Sequence, residues 1–261
     1  MNALALILAR AGSKGAPGKN RASVGGRPCF LWSVDAARAS RLVSRTAVST
    51  DDDAILSACV RIGVDAVARP AELATDDAAV VDAARHALGA LDDAALDPIV
   101  ILYANAPVRP PGLIDRALDL FARSGADSVQ SYAPVGKHHP WWTARVDERD
   151  GAVTPWDGDT LNHGVHRRQD LPAAFIPDGG VLVVSRRALL GEIPGVAPGP
   201  HAFLGADRRG VVTGAGDVVD IDTPFDLRLA DLILRDRVDG CAAGAAGAAP
   251  LPAPSGGRCT P

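Results

Sequence analysis

The chain has 261 residues, of which 47% are hydrophobic but only 4% aromatic, and its formal net charge is −4. This length fits one domain with at most a small insertion, and an acidic chain without a basic stripe argues against nucleic-acid binding. Its four cysteines have no paired spacing, which argues against a disulfide framework or a zinc site and predicts a soluble, cytoplasmic protein with reduced thiols.

Apolar strands and amphipathic helices alternate through the first half of the chain. The predicted strands are residues 3–9, 46–49, 98–102 and 127–132, and the predicted helices are 30–39, 53–62, 77–91 and one opened by Pro110 and Pro111. The first strand is too short for a membrane span and lacks a basic flank, so we expect no membrane association. Strands separated by such helices form a mostly parallel α/β sheet, whose ligands bind at the carboxyl ends of the strands.

The alternation breaks between residues 136 and 177, where we expect an insertion rather than a second domain. The sheet resumes at 180–185, and a last strand at 218–221 leads into a helix with Thr223 as N-cap and Asp226 three residues on. From residue 239 the Ala/Gly/Pro run has no periodicity. We therefore expect a domain over residues 1–238 and a disordered tail over 239–261.

A glycine-rich, basic loop follows the first predicted strand. Its three glycines, within residues 10–20, let backbone N–H groups approach an anion. Arg10, Lys14 and Lys19 supply the local positive charge that an acidic protein needs to hold a triphosphate. The loop matches neither the P-loop nor the dinucleotide glycine pattern. Taken alone, it is equally compatible with a solvated surface loop.

Two carboxylates, Asp220 and Asp222, lie at the end of the last predicted strand. Alternate residues of a strand face the same side, and paired carboxylates suit Mg2+, which bridges phosphate oxygens. Taken alone, the pattern is also explained by Asp222 and Thr223 capping the next helix.

Together these segments resemble the acylneuraminate (CMP-sialic acid) cytidylyltransferase family. Four residues stand at the defining positions of its N-terminal signature: Arg10, Ser13, Lys19 and Asn20. Further matching segments follow in order, namely Val48-Ser49-Thr50-Asp51, Arg69-Pro70-Ala71-Glu72-Leu73-Ala74 with Asp76, His138-His139-Pro140, Arg168-Gln169-Asp170-Leu171-Pro172, Pro177-Asp178-Gly179-Gly180 and Asp220-Ile221-Asp222-Thr223. The resemblance spans residues 3 to 236.

The resemblance implies a Rossmann-like nucleotidyltransferase sheet with helices on both faces. It implies transfer of CMP from CTP to the anomeric hydroxyl of an acidic sugar, with Mg2+ as cofactor and pyrophosphate as product. It also implies a homodimer, with the insertion at about 136–177 serving dimerisation and sugar binding. The implied nucleotide-binding residues are Arg10, Ser13, Lys19, Asn20, Arg69 and Asp76, and the implied Mg2+ ligands are Asp220 and Asp222. The implied catalytic residues are Arg10, Lys19 and Asp222, and the implied acceptor-binding residues are Tyr103, Asn105, Arg109 and Arg168.

One motif departs from the family. Many sialic-acid enzymes carry Gln-Pro-Thr-Ser-Pro-Leu-Arg where this chain has Tyr103-Ala104-Asn105-Ala106-Pro107-Val108-Arg109. A phenol and a short amide differ from Gln and Thr in reach and hydrogen bonding, so sialic acid and a related nonulosonate both remain open as acceptors. Two other functions also remain open: a glycosyltransferase with a nucleotide-sugar donor, and a non-catalytic protein that binds a nucleotide or sugar.

Overall fold

The computed structural model describes residues 1–12 and 15–246. Its strands are β1 (Ala3–Leu8), β2 (Ser23–Val24), β3 (Arg27–Pro28), β4 (Val43–Thr50), β5 (Asp65–Ala68), β6 (Ile99–Tyr103), β7 (Ser128–Pro134), β8 (Ala144–Val146), β9 (Val153–Pro155), β10 (Phe175–Val184) and β11 (Arg208–Val212). Its α-helices are α1 (Cys29–Ala39), α2 (Asp53–Ile62), α3 (Val80–Ala90), α4 (Leu113–Ser124), α5 (Arg186–Leu190) and α6 (Pro224–Ala246).

The central sheet has seven strands in the order β11-β7-β10-β6-β1-β4-β5. All neighbouring strands are parallel except that β10 runs antiparallel to both β6 and β7. The chain leaves β1 for β4 on one side and later returns to β6 on the other. Such a switch point opens a crevice at the carboxyl ends of the strands. The predicted mostly parallel α/β fold is confirmed.

Strand β1 is buried along its whole length, and its side chains pack into two core layers, one on each face of the sheet. Ala5 and Ile7 face the layer built with α1, α2 and α4, whereas Leu4 and Leu6 face the layer built with α3 and α5. A strand that is covered by helices on both faces has a continuously apolar sequence. The first strand is thus the centre of the core, and its carboxyl end is held rigidly.

The second half of the sheet differs from the sequence prediction. Strand β11 was not predicted, because its sequence, Arg-Arg-Gly-Val-Val, has no apolar alternation and it pairs on one side only, with β7. The strand predicted at 218–221 is wrong, since it forms only an isolated bridge from Val219 to Val108. Helix α4 begins after both prolines, at Leu113, with Gly112 as N-cap at a φ of 71°.

Strands β7 and β10 are antiparallel neighbours, and the chain between them forms a separate unit. This segment contains several short 3-10 turns and a hairpin in which β8 pairs antiparallel with β9. Its two ends therefore lie side by side at one edge of the sheet. The final helix, α6, runs to Ala246, past the boundary expected at residue 238, because its alanines favour helix. Residues 247–261 of the expected tail lie outside the described residues.

Within the described chain, no helix is long and apolar enough to cross a membrane.

Candidate active site

A cleft of about 230 Å³ opens at the carboxyl ends of β1 and β6. The predicted site residues that line it are Arg10, Lys19, Asn20, Arg69, Asp76, Tyr103 and Asn105. Leu8, Leu73 and Val80 supply apolar walls. A larger, mainly apolar cavity of about 420 Å³ lies between α1, α4 and α6. Its lining includes Arg109 but not Arg10 or Lys19, so we take the smaller cleft as the candidate site.

The glycine-rich loop is tied to the sheet where it begins and where it ends. Arg10 donates from Nη1 to the carbonyl of Thr75 at 2.8 Å and pairs through Nη2 with Asp76 at 2.9 Å. Asn20 donates from Nδ2 to the carbonyl of Arg10 at 2.8 Å. Asp51, at the end of β4, accepts from the backbone N–H of Ala11 at 2.7 Å. These bonds hold the Arg10 side chain at the cleft in the absence of a ligand.

The same loop packs directly on the predicted carboxylates. A Cβ atom added to Gly15 would collide with the carbonyl oxygen of Asp222, so only glycine permits this approach. Lys19 Nζ lies 2.7 Å from Asp222 Oδ1. The structure thus brings the basic loop and Asp222 into contact, although they are far apart in sequence. Two loop residues, Ser13 and Lys14, lie outside the described residues.

Arg69 is a buried cation at the side of the cleft. It donates from Nε to Ser49 Oγ at 3.1 Å and from Nη2 to the Ser49 carbonyl at 2.8 Å. Burial lowers the pKa of Arg69, and the nearby Asp51 carboxylate partly opposes this effect. A cation with this little access to water is strongly stabilised by an anionic ligand.

Asp220 and Asp222 stand close enough to repel each other. Burial raises the pKa of Asp220, and the charge of Asp222 raises it further. The next helix is capped without Asp222: Thr223 Oγ1 accepts from the N–H of Asp226 at 3.3 Å, and Asp226 Oδ2 accepts from the N–H of Thr223 at 2.7 Å. The predicted capping pair is confirmed, and the Asp222 side chain is left to contact Lys19.

The carboxylate pair fits a divalent cation by its chemistry. Mg2+ takes oxygen ligands, often one or two carboxylates completed by water and substrate phosphates. No group of three or more metal-binding side chains occurs within residues 1–12 and 15–246. Asp220 and Asp222 would therefore supply two ligands of such an ion, with water or phosphate oxygens completing its shell, and the ion would relieve their mutual repulsion.

Tyr103 and Asn105 lie on the opposite side of the cleft from Arg69. Burial raises the pKa of the Tyr103 phenol, so it stays neutral and remains a hydrogen-bond donor. The backbone carbonyl of Asn105 accepts from the backbone N–H of Ile221 at 2.7 Å, and its side-chain Nδ2 donates to the backbone carbonyl of Ile221 at 3.3 Å. The β6 end and the carboxylate segment are thereby joined.

The structure places Arg109 away from the cleft surface. It is only 6% exposed. Its guanidinium donates to the carbonyls of Tyr103, Ala106 and Gly180 and to the hydroxyl of Ser33. The expectation that Arg109 contacts the acceptor is therefore corrected, because its donors are engaged by its own fold.

Arg168 is exposed on a short 3-10 turn of the insertion and is not part of the cleft lining as described. Its guanidinium lies against Gly136 instead. In the same segment His139 is buried, accepts from the N–H of Trp141 at 3.1 Å and contacts the Pro172 carbonyl at 3.1 Å. These contacts give His139 a structural role.

Sequence reasoning missed two residues that organise the site. Asp51 holds the loop at Ala11, whereas the cap of α2 is the neighbouring Asp52. Asp226 also accepts from the backbone N–H of Asp222 at 3.2 Å, which orients the carboxylate segment. Neither role has a sequence signal, because both depend on contacts to the backbone.

The chain has detectable relatives among known proteins. Residues 4–146 match the family described as cytidylyltransferase. Over 194 residues the chain is 30% identical to an N-acylneuraminate cytidylyltransferase of Streptococcus agalactiae, an alignment that covers 74% of this chain and 45% of that protein. The chain thus spans less than half the length of this relative.

A second relative matches nearly end to end. The chain is 26% identical over 237 residues to a CMP-N,N'-diacetyllegionaminic acid synthase of Legionella pneumophila, covering 90% of this chain and 97% of that protein. Among solved structures, a CMP:2-keto-3-deoxy-manno-octonic acid synthetase complexed with CTP superposes with a TM-score of 0.67 at 16% identity. That superposition covers 91% of this chain and 100% of the other, and it shows that the two share a fold.

Proposed function

The chain belongs to the cytidylyltransferase family, and we propose that it is an enzyme that transfers CMP from CTP to the anomeric hydroxyl of an acidic sugar, with release of pyrophosphate. The observation that carries this proposal is the 2.7 Å contact between Lys19 and Asp222. It puts a basic glycine loop and a carboxylate pair within reach of one nucleotide. A triphosphate with its metal ion needs both at once.

Arg10, Lys19 and Arg69 supply the positive charge for the triphosphate. Asp76 holds Arg10 in place through their 2.9 Å ion pair. Ser13 stays a predicted phosphate contact. Together these groups give the negatively charged nucleotide a preformed cationic site.

Asn20 has a separate role in nucleotide binding. Its Oδ1 is buried and has no hydrogen-bond partner in the described part of the chain, and its Nδ2 is already bound to Arg10. An amide oxygen accepts hydrogen bonds and so does a phosphate oxygen, which means that they do not pair. We therefore assign Asn20 to a donor group of the nucleoside, such as a ribose hydroxyl.

In the reaction the anomeric hydroxyl of the sugar gives up its proton to solvent, its oxygen bonds to the α-phosphorus, and the bond between the α- and β-phosphates breaks to release pyrophosphate. Arg10 and Lys19 stabilise the charge that develops on the phosphate oxygens, and the preformed loop lowers the cost of orienting them. Asp220 and Asp222 would hold Mg2+, which neutralises phosphate charge when bound. On nucleotide binding, Lys19 exchanges Asp222 for phosphate oxygens.

The acceptor occupies the side of the cleft formed by Tyr103 and Asn105. The neutral phenol donates a hydrogen bond and the amide both donates and accepts, so the pair suits a hydroxylated or N-acylated sugar acid. Sialic acid and a related nonulosonate are both compatible with these groups. Of the two relatives described above, one is named for N-acylneuraminate and the other for N,N'-diacetyllegionaminic acid.

We also propose that two copies of the chain associate through the insertion. Six large apolar side chains there are 46–60% exposed, namely Val146, Val153, Trp156, Leu161, Phe175 and Ile176. Val146 and Val153 are cross-strand neighbours in the β8–β9 hairpin, and exposed apolar side chains that cluster in this way indicate a protein interface. In such a dimer, Arg168 of one copy would bind the acceptor sugar that occupies the cleft of the other copy.

A cytoplasmic location stays a prediction from the cysteine pattern.

The test is to incubate the protein with CTP, Mg2+ and a panel of acidic sugars: N-acetylneuraminate, N,N'-diacetyllegionaminate and 2-keto-3-deoxy-manno-octonate. We expect pyrophosphate and a CMP-sugar with one of them, and much less with ATP, GTP or UTP. CTP binding without turnover on any acidic sugar would instead identify a non-catalytic binding protein. Sugar transfer from a nucleotide-sugar donor would identify a glycosyltransferase.

A further inference from the structure

A buried guanidinium lies directly behind the acceptor side of the cleft. Arg109 donates from Nε to the Gly180 carbonyl at 2.6 Å, from Nη2 to the Tyr103 carbonyl at 2.9 Å and from Nη1 to Ser33 Oγ at 2.9 Å. Nη1 also donates to the Ala106 carbonyl. One side chain thus connects helix α1, strand β10 and the turn that follows β6.

This cation is costly to keep in the interior. Burial lowers the pKa of Arg109 to about 10, which still leaves it charged at neutral pH. Its hydrogen-bond acceptors in the described chain are three carbonyls and a hydroxyl, and Asp178 acts on it only through its charge. A buried charge of this kind needs excellent hydrogen bonding to be tolerated. The planar fork of arginine can fix several carbonyls at once, which an apolar side chain cannot do.

The carbonyls that Arg109 holds flank a residue of the cleft. Tyr103 and Ala106 lie on either side of Asn105, so Arg109 fixes the backbone before and after it. Asn105 is bonded through both its carbonyl and its side chain to Ile221, and Ile221 stands between the two carboxylates in sequence. A further backbone bond, from the N–H of Val219 to the carbonyl of Val108, joins the same two segments at 3.3 Å.

The nucleotide side of the cleft is held by other contacts. Arg10 is fixed by Thr75 and Asp76, and Arg69 by Ser49. None of the bonds of Arg109 described above reaches these residues. A change at Arg109 should therefore affect the acceptor and carboxylate side selectively.

We propose that Arg109 is a positioning residue that sets the carboxylates Asp220 and Asp222 against the acceptor-facing side chains of the β6 turn. It acts through the backbone of Asn105 and Ile221 and touches neither substrate. The part of this inference that concerns turnover rests on the proposed function. The part that concerns cation binding can be tested without it.

The test compares Arg109→Lys with the wild-type protein. Lysine keeps the charge but offers one nitrogen, which cannot hold three carbonyls in one plane. We expect the Kd of the free protein for Mn2+ alone, measured by electron paramagnetic resonance, to rise about 10- to 100-fold, as for other residues that orient metal ligands. The Kd for CTP measured in EDTA by calorimetry should stay within about twofold, because the contacts that hold Arg10 and Arg69 share no partner with Arg109.

A milder variant keeps the inference testable if Arg109→Lys does not fold. Ser33→Ala removes one acceptor of Arg109 at nearly constant volume, and we expect the same selective loss of Mn2+ affinity at a smaller size. Arg186→Lys is the matched control. Arg186 donates to the Asp93 carbonyl at 3.1 Å, near the amino end of β6, whereas the cleft lies at the carboxyl end of that strand. This control substitution should lower Tm without changing either Kd.

Two results would overturn the inference. One is an equal weakening of Mn2+ and CTP binding in Arg109→Lys and Ser33→Ala, and the other is a lower Tm with both Kd values unchanged. Either would reduce Arg109 to a support of the fold. Absence of pyrophosphate from the wild-type protein would contradict the proposed function instead, and the Mn2+ comparison would still stand.

Discussion

The nucleotide side of the cleft and the insertion between β7 and β10 differ in how their side chains are held: the first has fixed charged groups, and the second has exposed apolar ones. On the nucleotide side, charged groups are held by the fold: Arg69 by Ser49, Arg10 by Asp76 and Lys19 by Asp222. In the insertion, a short hairpin pairs with itself, and Val146 and Val153 are 60% and 51% exposed.

The difference indicates two separate functions, charge stabilisation at the cleft and contact with another molecule at the insertion. Groups that stabilise developing charge are effective when they are oriented before the reaction begins, so they belong on a rigid sheet end. Exposed apolar surface is useful where another molecule will cover it. We therefore expect the nucleotide side to determine the rate and the insertion to determine assembly and acceptor binding.

The largest expected effect is on the nucleotide side. Lys19→Ala removes a cation that we propose contacts the phosphates, and kcat should fall about 100- to 1,000-fold, as when one preorganised donor is lost. Asp222→Asn should lose turnover on a similar scale. Tm should change little, because the Lys19–Asp222 pair is partly exposed.

The control for Lys19→Ala is Arg123→Ala, which removes an exposed cation of α4 that bonds only to the Asp119 carbonyl among the described residues. Both variants change the net charge equally. Near-normal CTP turnover by Lys19→Ala would show that the site has been assigned to the wrong residues.

A smaller effect is expected in the insertion. Val153→Asp places a charge in the exposed apolar surface, so sedimentation velocity should show monomers of this variant, whereas we expect dimers of the wild-type protein. The KM for the acceptor should rise about tenfold, equal to about 1.4 kcal/mol, with the KM for CTP unchanged. Val60→Asp, at an apolar residue of α2 that is 75% exposed, is the control. A dimer that survives Val153→Asp would separate the insertion from assembly.

The smallest effect concerns the acceptor side of the cleft. Tyr103→Phe removes one neutral hydrogen bond, of about 0.5–1.5 kcal/mol, so kcat/KM for the acceptor should fall roughly two- to tenfold. Tyr132→Phe is a matched control, since its hydroxyl lies 3.5 Å from Gln130 Oε1 on β7. Equal losses in the two variants, or a loss confined to CTP, would argue against acceptor contact by Tyr103.

The sequence predicted those parts of the molecule whose chemistry is visible in residue type. The apolar run of β1, the glycines and cations of the loop, and the Thr223–Asp226 cap all follow local rules, and each appears in the structure. Residues 218–221 are apolar except for Asp220, as in a strand, but in the described chain they form only an isolated bridge, from Val219 to Val108.

Other features depend on contacts that no local pattern encodes. Arg109 stands in a motif that predicted contact with the acceptor, yet it is buried among carbonyls of the β6 turn and β10 and the Ser33 hydroxyl of α1. The carboxylate of Asp51 likewise holds a backbone N–H that is distant in sequence. Such roles are visible only when the chain is folded.

The antiparallel pairing of β7 with β10 has a consequence for how this scaffold can diversify. Because the chain departs from the sheet and re-enters it at adjacent positions, everything between behaves as an enlarged hairpin turn. Its length and content can change without altering the register of the parallel strands or the spacing of the phosphate-binding groups. New acceptor preferences can thus arise by exchanging this module while the nucleotide chemistry is inherited intact.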